Sequence, residues 1–124
     1  MALRDAMRAS AVHFVVPGEK IQEVFGAQTA SPWMFPLIGA LIMLFINEYR
    51  IVAVTDQRIL VLDSGRFNMK KARGVVESLP RGTVLGPGKG IWHAIETPSD
   101  TLRVHRRFFK DLEAADRLAP AGQL

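Results

Sequence analysis

The chain has 124 residues and no cysteine, which excludes a disulfide scaffold, a thiol nucleophile and thiolate metal sites. Its 48 % apolar content excludes global disorder and suits one compact domain. Of its 16 Lys/Arg and 12 Asp/Glu, the whole excess of +4 falls between residues 48 and 89, a local bias that points toward an anionic partner.

Taken in chain order, residues 1–16 predict an N-terminal helix. Leu3, Met7, Ala11 and Phe14 recur at spacings of three and four, Arg4, Asp5 and Arg8 fall on the other side, and Pro17-Gly18 ends it. The same N-terminus lacks the long apolar stretch of a signal peptide. Residues 20–29 (KIQEVFGAQT) predict a strand with Ile21, Glu23, Phe25 and Ala27 on one face.

The apolar run follows. Residues 33–46 carry no polar side chain, and no charge occurs from Val24 to Asn47. Fourteen helical residues cover about 21 Å at about 1.5 Å each, against a bilayer core of about 30 Å. A helix apolar all round must be covered all round by protein or lipid. Trp33, Met34, Phe35, Leu37, Ile38, Leu41, Ile42, Leu44, Phe45 and Ile46 are therefore the candidate membrane anchor, dipping into one leaflet, with Trp33 and Tyr49 at its margins. A true span and an oligomer or partner interface are the alternatives.

Residues 48–65 (EYRIVAVTDQRILVLDSG) give the clearest strand signal: two β-branched runs around the polar tetrad Thr55-Asp56-Gln57-Arg58, which predicts a hairpin with a tight turn. The next stretch, 64–76, holds Arg66, Lys70, Lys71 and Arg73 and no acid, a basic loop suited to anionic lipid. GVVESLP, TVLGPGKG, GIWHAIETP and DTLRVH then read as short segments of an antiparallel sheet that curls toward a barrel. Residues 106–119 predict an amphipathic helix with Phe108, Leu112, Ala115 and Ala119 on its buried face. Arg103, Arg106 and Arg107 cluster where the last strand passes into this helix. Cations there oppose the helix dipole, so an anionic lipid or partner for Arg106 and Arg107, or an Arg106 ion pair with Asp111 or Asp100, is expected.

The fold class expected is α+β, mainly β: a curled antiparallel sheet or partly open barrel, an apolar helical insertion at 33–46 and a C-terminal amphipathic helix, all within one domain, 1–124. This order matches the pleckstrin-homology (PH) superfold. YRIVAVTDQRILVLDSG resembles the "VT-x-x-R-hydrophobic" hairpin of bacterial PH-like and GRAM-like domains. PGEKI (17–21), LPRGTVLG (79–86) and LRVHRRF (102–108) are similar to small actinobacterial proteins of that type, so that the similarity spans roughly residues 17–118. Lipid-reading PH domains usually carry basic residues in the loop between the first two strands, where this chain carries the apolar run, so the resemblance does not extend to phosphoinositide recognition.

No motif carries an enzyme chemistry. LGPGKGIW (85–92) departs from the P-loop spacing and reads as a glycine-rich turn, no G-x-S-x-G is present, and His13, His93 and His105 share no metal-ligand spacing. A non-enzymatic protein without cofactor, metal, nucleic-acid partner or evident small-molecule substrate is expected. It would be a scaffold or accessory subunit at the cytoplasmic face of the cell membrane, in contact with anionic phospholipid. The alternatives are a soluble homo-oligomeric or protein-interaction module whose apolar run is the interface, and a single-span subunit of a larger membrane complex.

Overall fold

Antiparallel pairing organises the computed structural model, which describes residues 2–31, 39, 41–42 and 45–119. In chain order these form helix α1 (Ala2–Ala11) with a 3-10 turn (Val12–Phe14), then strands β1 (Ile21–Gln28), β2 (Tyr49–Thr55), β3 (Arg58–Gly65), β4 (Gly74–Pro80), β5 (Trp92–Glu96) and β6 (Thr101–His105). A second 3-10 turn (Arg106–Phe108) leads into helix α2 (Phe109–Leu118). The six strands make one sheet in the order β4-β3-β2-β1-β6-β5, all neighbours antiparallel. The result is a curled sheet, a half-barrel compatible with a PH-like fold, and the mainly-β α+β class expected from the sequence.

The hairpin forms where the sequence places it. Only Asp56 and Gln57 separate β2 from β3, and Val54 pairs with Ile59. Thr55 Oγ1 accepts the backbone N–H groups of Gln57 (3.1 Å) and Arg58 (3.0 Å), which closes the turn. Both central strands are apolar without alternation because both their faces are covered. Ile51 to Thr55 and Ile59 to Leu62 are all buried. Met7 and Ala11 of α1, and Phe108, Leu112 and Ala115 at α2, join the same core. In β1, Phe25 and Ala27 are buried as expected, but a register irregularity between Ile21 and Glu23 breaks the alternation at its start.

Two expectations need correction. Residues 83–90 form no strand. The loop is fixed by side chains instead: the Asp116 carboxylate accepts the N–H groups of Leu85 and Gly86, both at 2.9 Å, and the His93 ring bonds the Leu85 carbonyl at 2.7 Å. Neither does Arg106 pair with Asp111 or Asp100. Arg4 holds Asp111 at 2.9 Å and Arg50 holds Asp100 at 3.2 Å, because α1 and β2 bring those cations closer.

Candidate functional site

The strand directions collect three connections at one end of the sheet: the β1–β2 insertion, the basic β3–β4 loop and the β5–β6 turn. The insertion leaves through a closed stem. Thr29 N–H donates to the Glu48 carbonyl (2.9 Å), Glu48 N–H to Thr29 Oγ1 (3.1 Å), and Ala30 N–H to the side-chain oxygen of buried Asn47 (3.1 Å). Beside it, the Arg50 side chain is only 8 % exposed and faces Asp63 at 3.0 Å, Asp100 at 3.2 Å and Glu48 at 3.4 Å. Three carboxylates around one guanidinium satisfy a charge that burial would otherwise make costly.

Within the apolar run, Leu41, Ile42, Phe45 and Ile46 are helical and point outward, with exposures of 70, 51, 64 and 43 %. Trp33, Met34, Phe35, Leu37, Ile38 and Leu44 lie outside the described residues. No helix among the described residues is long and apolar enough to cross a membrane.

The basic loop is shaped by small polar contacts. Ser10 Oγ on α1 accepts the Ala72 N–H (2.9 Å), Asn68 Oδ1 accepts the Lys70 N–H (2.9 Å), and Arg73 N–H returns the chain to the Asp63 carbonyl (2.7 Å). These bonds leave Arg66, Lys70, Lys71 and Arg73 exposed, none of them in an ion pair among the described residues. Phe67, at the loop's tip, is 80 % exposed. Met69 folds back over β1 at Gly26, where any Cβ would collide with its sulfur.

Behind this loop lies a cavity of about 460 Å³. Its apolar walls include Leu3, Met69, Trp92 and Phe108, while Lys70, Arg103, His105 and Arg107 bring its basic groups. Among the described residues no acidic side chain lines it. Arg107 lies with its guanidinium 4.8 Å from the centroid of the Phe108 ring, and Arg4 approaches the same ring at 5.2 Å. The Trp92 indole stands edge-on to His105 at 5.1 Å. His105 Nδ1 accepts the Arg107 N–H at 3.1 Å. Burial, with the charges of Arg107 and Arg106 adding to it, holds the imidazole below its ordinary pKa.

Of the six cations expected to contact anions, the structure brings Lys70 and Arg107 together on the cavity. Arg66, Lys71 and Arg73 share the loop with Lys70, and Arg106 is exposed on the 3-10 turn. The cavity's other groups escape a motif search because they come from six separate segments. One signal was present: in LRVH, alternation puts Arg103 and His105 opposite buried Leu102 and Val104. Among the described residues no three histidine or acidic side chains are placed to hold a metal ion. Comparison with known proteins adds no relative: no family model, curated protein or solved structure matches this chain.

Proposed function

We propose that the protein is a non-enzymatic PH-like, GRAM-like module held at the cytoplasmic face of the membrane, where it serves as a scaffold or accessory subunit. One observation carries this reading: an outward-facing apolar helical patch, Leu41, Ile42, Phe45 and Ile46, leaves the same end of the sheet as a loop with four uncompensated cations and an exposed Phe67. Apolar side chains enter the acyl boundary while Arg66, Lys70, Lys71 and Arg73 meet anionic head groups, at about 1 kcal/mol each. The cytoplasmic leaflet is the anionic one, so the basic loop favours that side.

The pairing of β1 with β2 favours a dip into one leaflet over a single crossing. Seven residue pairs join the two strands across the base of the insertion, and a crossing would have to pull those flanks to opposite sides. Flotation with vesicles tests the reading. The protein is expected to float with vesicles containing phosphatidylserine, less with phosphatidylcholine alone, and to be released in part by high salt. Lys70→Glu with Lys71→Glu should abolish the preference for anionic vesicles. A protein that stays unbound at low salt and runs as a monodisperse dimer without detergent would sink the proposal and favour an interface between copies.

A further inference from the structure

We propose that the cavity between the β3–β4 loop and the β5–β6 hairpin is a binding site for a single-chain amphiphilic anion. Its charged head sits between Arg103 and Arg107, and its apolar chain lies against Met69, Trp92 and Phe108. The first support is charge. Among the described residues four basic side chains line the cavity and no acid does. Arg107 has no carboxylate partner among the described residues: its guanidinium is occupied only by the Phe108 ring and by a 3.8 Å contact to Met69 Sδ. Arg103 gives one N–H to the Thr29 carbonyl and keeps the rest of its fork. A planar guanidinium with free donors suits a carboxylate or phosphate head.

The second support is the character of the walls. Two side-chain amides on the cavity each spend one polar atom locally, Gln28 Nε2 on the Ala30 carbonyl at 2.9 Å and Asn68 Oδ1 on the Lys70 N–H at 2.9 Å. Thioether and aromatic surface from Phe67, Met69, Trp92 and Phe108 makes up much of the remaining wall, and such surface suits an acyl chain. The volume falls within the range of small-molecule sites. Gly26 keeps the floor low enough for Met69 to act as an adaptable wall above it. The head group can belong to a free fatty-acid-like molecule or to a lipid drawn from a bilayer, since both present the same chemistry.

The experiment uses Trp92 as a reporter in a Trp33→Phe background, which leaves it the sole tryptophan. Dodecanoate and dodecyl phosphate, added below their micelle concentrations and without vesicles, should shift its emission saturably. Inorganic phosphate and dodecyltrimethylammonium should not. Arg107→Gln, an exposed position, should weaken dodecyl phosphate at least tenfold with an unchanged circular-dichroism spectrum, and Lys70→Gln provides a second test at another exposed side chain. Equal responses to the anionic and cationic amphiphiles, no response to either, or unchanged affinity in both variants would overturn the proposal. A second arm adds phosphatidylserine vesicles: a Trp92 response there assigns a membrane lipid as the source, and a response to free amphiphile alone assigns a free ligand. Because the first arm contains no membrane, it stands or falls separately from vesicle flotation.

Discussion

Glu19 shows how much one buried carboxylate holds in place. Its side chain has no exposure, and its oxygens accept from Val16 N–H (3.0 Å), Thr55 Oγ1 (2.6 Å) and the Arg58 guanidinium (2.9 and 3.0 Å). The Arg58 hydrogen bonds come first among the causes that bring its pKa from 4.5 to about 2, against the opposing effect of burial. A folded pKa below the unfolded one stabilises above the unfolded value, so this contribution is complete above pH 4.5 and is lost as pH falls toward 2. The shift corresponds to roughly 3 kcal/mol. Glu19→Gln should therefore lower stability by about 2–3 kcal/mol at neutral pH in urea unfolding, because it leaves Arg58 without its counter-charge. It should also flatten the loss of stability between pH 4.5 and 2. Glu23, raised by burial and then by Asp111, titrates in the opposite sense, so the difference between wild type and variant is the quantity to read. The same acid slope in both proteins would show that Glu19 does not carry it. In the sequence, Glu19 is one acid in a Pro-Gly turn; its partners lie 36 and 39 residues away, and no local pattern encodes that distance.

At the scale of elements, the local signals that worked were those whose cause is local. The β2–β3 hairpin follows from two β-branched runs and a Thr-Asp turn, and the α2 face follows from helical spacing at Phe108, Leu112 and Ala115. The glycine-rich stretch from residue 85 is the turn-like loop its composition indicates, while the strand expected at TVLGPGKG (83–90) is absent because the order there comes from outside. Asp116 of α2 supplies the partners that a strand neighbour would have supplied. Its glycine at 88 lets the loop lie on Phe109: a Cβ there would stand 2.6 Å from the ring's Cγ. Gly88→Ala should lower stability by about 1–3 kcal/mol in thermal unfolding, since a ring packed at a helix start cannot swing aside freely. Lys89→Ala, one residue along and exposed, should stay within about 0.5 kcal/mol of wild type. Equal effects at 88 and 89 would show that the close approach to Phe109 is not what constrains the loop.

For the molecule as a whole, composition and run length suffice to mark the candidate surface, whereas the cavity behind it needs the fold to assemble. Arg103, Arg107, Trp92 and Met69 meet only because β6 pairs beside β1 and the β3–β4 loop folds back. The outward apolar patch gives a test that separates folding from attachment. Leu41→Ser combined with Phe45→Ser removes two exposed side chains that take no part in the core. The melting temperature should move by no more than about 2 °C, while vesicle flotation falls sharply. A large drop in melting temperature would instead mean that these side chains are covered within the folded protein or its oligomer.

The three carboxylates around Arg50 have a mechanical consequence. Glu48 closes the stem of the insertion, Asp63 lies in β3 two residues before its end at Gly65, ahead of the basic loop, and Asp100 closes the β5–β6 turn, so one guanidinium rivets the bases of all three connections. A force reaching the stem at Glu48 is passed at Arg50 into β3 and the β5–β6 turn. The stem at Glu48 and the two neighbouring connections are thereby fixed to one another, and with them the side of the half-barrel on which the mouth of the cavity opens.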